Sequence, residues 1–166
     1  MRETILQLGA GRFLRAFVDR FVQHANDAGQ DVGRIVVVQS TPGRRAELLR
    51  NPDGYSVLIR GYDNGELVNR DENVRSISRA LVAEESWPEI LEFAVATDLR
   101  YLITNATEAG YSLHESDTLE SAPPVSMPAK LTRILWERFQ SRGSPLVILP
   151  CELIEQNATK LLEIVV

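Results

Sequence analysis

Three clusters of residues in this chain have the types and spacing for chemistry. The first is "LGAGRF" at residues 8–13. Gly9 lets the backbone turn sharply, and Gly11 has no side chain to hold an anionic group away from the main chain. The turn Gly9-Ala10-Gly11 and the amides around Arg12 and Phe13 would open a helix, whose first turn favours a phosphate. Arg12 and Arg15 add positive charge. The third glycine of the usual dinucleotide fingerprint is missing, because Leu14 stands where Gly or Ala is expected.

The second cluster is "QSTPGRR" at residues 39–45. A site for NAD commonly has Asp or Glu here, to bind the adenine-ribose hydroxyls. This chain has Gln39, Ser40 and Thr41, then Arg44 and Arg45. Hydroxyls and arginines without an acid fit a ribose 2′-phosphate and lean toward NADP; the alternative is that the two arginines form a solvated helix face. The third cluster joins two segments, "NATEAGY" with Asn105, Thr107 and Glu108, and "LPCELIEQN" with Cys151, Glu152 and Asn157. Each follows an apolar run, so each falls at the carboxyl end of a strand, where ligands of open α/β sheets collect. Cys151 has no evident His partner and reads as a buried small residue. Glu108 and Glu152 also suit helix N-termini. His114, Glu115 and Asp117 read as a solvated loop, and no metal is expected.

The elements that must position these residues follow from periodicity. Thr4 to Leu8 is a short apolar strand. From Arg12 to Ala28 the apolar residues Phe13, Leu14, Phe17, Val18, Phe21, Val22 and Ala25 form a helical stripe, which Gly29 can close. "RIVVVQS" suits a strand buried on both faces. The segment from Tyr55 to Val82 is predicted as an antiparallel excursion around Asp63-Asn64-Gly65, a strong hairpin signal. A helix follows, capped by Ser86 with Pro88 in its first turn. "RYLITNAT" is a further strand, and a long helix runs from a Ser126 cap to Gly143. "PLVILPCE" is the last strand, and "QNATKLLEIVV" starts another helix. The expectation is an α/β fold: a doubly wound, mostly parallel Rossmann-type sheet with an antiparallel hairpin excursion.

Composition bounds the function. The chain has 166 residues, 44% of them hydrophobic and 25% charged, as in ordinary globular proteins. A formal net charge of -5 argues against nucleic acid and anionic membrane as partners. One cysteine excludes an internal disulfide, and two histidines leave little for a structural zinc site. No signal peptide or spanning run is visible, so the expected compartment is the cytoplasm.

"GAGRFLRAF" resembles the G-x-G-x-F-x-R-A signature of the polyol-specific long-chain dehydrogenases, with Phe13, Arg15 and Ala16 in place of the third glycine. "VVVQSTPGRRAELLRNPDGYSVLIRG", "NATEAGY", "PPVSMPAKLT" and "VILPCELIEQN" resemble the branch of that family that interconverts tagaturonate and altronate. The resemblance spans the chain. It implies a dinucleotide-binding Rossmann domain over residues 1–166, with hydride transfer between NAD and a sugar acid or polyol. NADP stays open on the evidence of residues 39–45. The resemblance also implies a helical substrate domain, bearing the catalytic lysine, outside these residues. On this footing the cofactor-binding set is Gly9, Ala10, Gly11, Arg12, Phe13, Gln39, Ser40, Arg44, Asn105, Thr107 and Glu108. Asn157 is the one catalytic carry-over, as a carbonyl-polarising amide. A mannitol dehydrogenase-like enzyme, another polyol dehydrogenase and a non-catalytic dinucleotide-binding module are the alternatives.

Overall fold

A computed structural model describes residues 1–165. Its strands are β1 (Glu3–Leu8), β2 (Arg34–Gln39), β3 (Tyr55–Asp63), β4 (Glu66–Val74), β5 (Ile77–Val82), β6 (Tyr101–Thr104) and β7 (Val147–Pro150). The helices are α1 (Arg12–Ala16), α2 (Val18–Asp27), α3 (Arg45–Leu49), α4 (Ala83–Ala94), α5 (Met127–Gln140) and α6 (Asn157–Val165). Five strands form one parallel sheet in the order β5-β2-β1-β6-β7, and β3 pairs only with β4. The doubly wound sheet and its hairpin excursion are as expected from the sequence.

Successive strand residues point to opposite faces. Ile5, Ile35, Val37, Ala80 and Ile103 therefore pack on the face covered by α1 to α3. Leu6, Leu8, Val36, Val38, Leu81 and Leu102 pack on the face covered by α4 to α6. Both faces are dry, so β2 can be the unbroken run Ile35-Val36-Val37-Val38, each residue 0% exposed. Burying each such side chain contributes about 1.5–3 kcal/mol. Among the described residues, no helix is long and apolar enough to cross a membrane.

Four local expectations change. The helix after the glycine turn is bent at Phe17 (φ -117°, ψ -70°), giving α1 and α2. Leu14 and Val22 point inward, but Phe13, Phe17 and Phe21 stand on a half-exposed face, with ring centroids 5.1 and 6.2 Å apart. The apolar set is too wide for one stripe, and the phenyl rings cover each other instead. "SISRALV" is not part of the excursion: as β5 it pairs in parallel with β2. The excursion is the β3–β4 hairpin alone, turned at Asn64 (φ 50°) and Gly65 (φ 85°), the backbone such a turn requires.

The fourth change concerns helix ends. α4 begins at Ala83 rather than after Ser86, which interrupts it with a non-helical backbone (φ -126°, ψ 24°). Pro88 lacks the N–H that would bond back to Glu84, so a continuous helix loses a bond there. In α5 the Ser126 hydroxyl accepts from the Ala129 amide at 3.3 Å, as predicted. Its end is closed by Arg142 in the left-handed conformation (φ 55°), not by Gly143. Gly143 is needed for space: a Cβ there would lie 2.7 Å from the Arg138 side chain. That side chain caps the carbonyls of Ala94, Ala96, Leu99 and Ser144.

Candidate functional site

Strand order locates the site. From β1 the chain moves one way, through β2 to β5, and then crosses to β6 on the other side of β1. The loops after β1 and β6 leave the sheet in opposite directions, opening a crevice between them. Leu8 and Thr104 are register partners, so Gly9 and Asn105 leave adjacent strand ends together. A cleft of about 790 Å³ lies there. Gly9, Ala10 and Gly11 line it from the first loop. Ser40, Thr41, Pro42 and Arg45 line it from the second, and Asn105 to Thr107 from the third. Among the described residues its lining includes Arg45 and Lys130 but no Asp or Glu, which suits an anionic ligand.

The two glycines of the turn have different reasons. Gly9 has φ +131°, and a Cβ there would lie 3.2 Å from the Asn105 carbonyl oxygen. The fold itself therefore asks for glycine. Leu14, in the place of the fingerprint's third glycine, is 0% exposed and packs beneath this turn. Gly11 has ordinary extended backbone (φ -71°, ψ 164°). A Cβ at Gly11 would meet nothing nearer than Asn105 Oδ1, at 3.9 Å.

The second loop is built by Gln39. It is 2% exposed, and its Oε1 accepts from the Ala46 amide at 2.7 Å. Its Nε2 donates to the carbonyls of Thr41 (2.9 Å) and Gly43 (2.8 Å). Gln39 thus shapes the loop and has no hydrogen left for a ligand. Arg44 turns away from the cleft to Glu47, bonded at 2.7 and 2.8 Å. The pair holds the Arg44 guanidinium above and the Glu47 carboxyl below their usual pKa values. Arg45 reaches Thr41 Oγ1 at 3.2 Å and lines the cleft instead.

The third wall joins β6 to β7. Asn105 Nδ2 donates to the Cys151 carbonyl at 2.8 Å, and Glu152 Oε1 accepts from the Ala106 amide at 3.1 Å. Glu152 is buried and braces the wall from behind. Burial pushes the Cys151 thiol up, and neighbouring Glu152 adds to this, so the thiol is not activated as a nucleophile. Glu108 is exposed beside the lining residues Thr107 and Ala109. Asn157 donates through Nδ2 to the carbonyls of Pro150 (2.9 Å) and Glu152 (3.2 Å). Both hydrogens of that amide are spent on tying α6 to β7, which leaves none to polarise a substrate carbonyl.

Gly9, Ala10, Gly11, Ser40, Asn105 and Thr107 therefore converge on the cleft, whereas Arg12, Phe13, Gln39, Arg44, Glu108 and Asn157 do not line it. The roof was not visible in the sequence. It comes from the turn Glu108–Tyr111, with Gly110, from the segment after it, with Ser112, His114 and Val125, and from the start of α5, with Ser126 and Lys130. Asp117 organises this segment by accepting from the amides of His114, Val125 and Ser126. Burial raises its pKa, but these bonds outweigh burial and leave the carboxyl below its ordinary value. Lys130 is 1% exposed and donates Nζ to the Val125 carbonyl at 2.6 Å. Burial lowers its pKa, against weaker opposing pulls from Glu84 and Asp117.

Residues 3–166 match the family described as the mannitol dehydrogenase Rossmann domain. The chain belongs to that family. Among curated relatives, altronate oxidoreductase of Halalkalibacterium halodurans is 40% identical over 98% of this chain and 33% of its own length. The Cronobacter sakazakii altronate oxidoreductase is also 40% identical, over 98% of this chain and 35% of its own. This mannitol dehydrogenase Rossmann domain thus spans about a third of the length of those relatives. Among solved structures, Pseudomonas fluorescens mannitol 2-dehydrogenase, in a ternary complex with NAD and D-mannitol, superposes with a TM-score of 0.85. That match has 18% identity and covers 99% of this chain and 36% of the other. A D-sorbitol dehydrogenase in substrate-free form superposes with a TM-score of 0.79 at 21% identity, over 99% of this chain and 37% of its own. At these identities the likeness is one of fold.

Proposed function

We propose that the cleft binds NAD and that residues 1–166 are the cofactor-binding domain of an oxidoreductase. Its substrate pair would be a sugar acid and its keto form, altronate and tagaturonate. The observation that carries the reading is Gly11. No crowding or backbone conformation demands glycine there, and a side chain would project into open space beside Asn105. A bound pyrophosphate supplies the missing reason, since it must approach the backbone closely. Two further features fit. The lining carries positive charge and no carboxylate. Ser40, in the lining, has a buried hydroxyl with no partner among the described residues, as a ribose-side contact would leave it.

In this reading Gly9, Ala10 and Gly11 present backbone to the pyrophosphate. Ser40, Thr41 and Arg45 serve the adenine-ribose side, while Asn105 and Thr107 form the opposite wall. When bound, the nicotinamide ring supplies or accepts the hydride at the sugar-acid carbonyl carbon. The sugar-acid assignment is supported by the 40% identity to altronate oxidoreductases, and the cofactor by the NAD in the mannitol 2-dehydrogenase complex. NADP is the second reading, favoured by Arg45 and by the absence of an acid at the end of β2.

The test is calorimetric titration with NADH and NADPH of the wild type and of Gly11→Val. The valine places two methyl groups where the pyrophosphate would lie, so affinity should fall at least about a hundredfold in a folded variant. Unchanged affinity would refute the phosphate role. In the whole oxidoreductase of which residues 1–166 would be the cofactor domain, comparing altronate with mannitol as hydride donor, followed by NADH absorbance, separates the sugar-acid from the polyol assignment.

A further inference from the structure

Two cationic side chains are buried among the described residues, and they are served very differently. Arg138, 4% exposed, spends its guanidinium on the carbonyls of Ala94, Ala96, Leu99 and Ser144. Those bonds close the end of α4 and the loops leading into β6 and β7, so the fold accounts for that charge. Lys130, 1% exposed, makes one side-chain hydrogen bond among the described residues, from Nζ to the Val125 carbonyl at 2.6 Å. Two of its three ammonium hydrogens have no acceptor there.

The charged groups facing Lys130 are Glu84, at the start of α4, and Asp117, in the roof segment. Among the described residues neither forms an ion pair with it. Glu84 is exposed, and Asp117 is engaged by the amides of His114, Val125 and Ser126. A lysine in a protein interior is almost always paired, because its ammonium gives up hydration there. Holding the Val125 carbonyl needs one N–H, which a neutral side chain could supply. The position of Lys130 accounts for the charge. It lines the cleft together with Val125, and the bond to Val125 keeps the ammonium at the roof. Asp117 grips the same residue through its amide, so this part of the roof is fixed from both sides.

We propose that Lys130 is a binding residue of the cleft, whose ammonium, held on the Val125 carbonyl, donates its remaining N–H groups to a phosphate of the bound ligand. Arg45, the other cation of the lining, is exposed and its charge is shared with solvent. The charge of Lys130 is dry and therefore little screened by salt. Burial lowers the pKa of the free lysine, against weaker pulls from Glu84 and Asp117, and a phosphate beside it raises that pKa again. That the phosphate belongs to NAD rests on the function proposed above; the unpaired ammonium does not.

The experiment titrates NADH calorimetrically into wild type and Lys130→Gln from about pH 7 to about pH 10. Glutamine keeps an N–H for the Val125 carbonyl and removes the charge. At neutral pH the variant should bind about tenfold to a hundredfold more weakly, the scale of a hydrogen bond to a charged group. As pH rises through the pKa of the free lysine, wild type loses its advantage and the ratio of the two affinities falls toward one. Equal affinities at neutral pH overturn the proposal. So does a ratio that stays constant with pH, the result expected if Lys130 only holds the roof in place. A second measurement needs no variant: the ¹⁵Nζ resonance of Lys130 in wild type gives its pKa with and without NADH or inorganic pyrophosphate. A pKa raised by either ligand supports the phosphate contact, and one moved by neither overturns it. A pKa raised by pyrophosphate with no NADH binding at any pH refutes the cofactor reading and still supports Lys130 as the anion contact.

Discussion

Asp19, buried on α2 with its carboxyl 2.9 Å from the Tyr55 hydroxyl, makes a thermodynamic prediction that is independent of any ligand. Its carboxyl is held at about 7 in the folded chain, from an ordinary value of 3.8, with desolvation as the largest cause. The folded state therefore binds a proton that the unfolded state releases between those values. Stability from this group is complete below the unfolded value, declines as pH rises toward about 7, and is flat beyond it. The gap corresponds to about 4 kcal/mol, at about 1.4 kcal/mol per pH unit. That is a large share of the roughly 5–15 kcal/mol that stabilises an ordinary domain. Asp19→Asn removes the titration while keeping the shape. The variant's stability relative to wild type should therefore rise by about 4 kcal/mol from pH 4 to pH 8. Urea unfolding followed by tryptophan fluorescence reads this out, because Trp87 is 3% exposed in the core. Comparing the two proteins at each pH cancels the other titrating groups. A variant-minus-wild-type stability that stays constant with pH, or falls as pH rises, would refute the buried neutral acid.

The two turn glycines should part company under mutation. Gly9→Ala, forced to φ +131° beside the Asn105 carbonyl, should cost about 1–3 kcal/mol in thermal or chemical unfolding; Gly11→Ala, a change of the α1 N-cap in ordinary backbone, should cost no more than about 1 kcal/mol and weaken NADH binding. For the cofactor choice, Arg45→Ala should lower NADPH affinity about tenfold or more, on the scale of one charge-assisted hydrogen bond, and spare NADH. Arg44→Ala should alter neither affinity, because Arg44 already pairs with Glu47 outside the cleft; equal small effects from both arginines would end the NADP reading. Asn157→Ala should destabilise the chain by about 1–2 kcal/mol through the lost bonds to Pro150 and Glu152. Calorimetry should find its NADH affinity intact, whereas a binding defect at full stability would restore Asn157 to the ligand site.

Much of this molecule was legible in the amino-acid order, because the controlling forces are local or periodic. The valine-rich run in β2 suits a strand dry on both faces, and Asn64-Gly65 supplies backbone that closes a hairpin by itself. Gly9 and Gly11 mark a turn wherever they fall in the fold. The family pattern around them was equally plain. What sequence could not reveal depended on partners distant along the chain. Whether Gln39 met a ligand or a loop depended on where Thr41, Gly43 and Ala46 came to rest. Arg44 and Arg45 are indistinguishable as residue types, and helix phase alone sends one to Glu47 and the other to the cleft. Asn157 lost its free amide to carbonyls at the end of β7. The buried contact of Asp19 with Gln7 and Tyr55 joins α2 to β1 and, across the rest of the βαβ unit, to β3. Only their tertiary packing excludes the water that would otherwise have hydrated the carboxyl and kept it ionised.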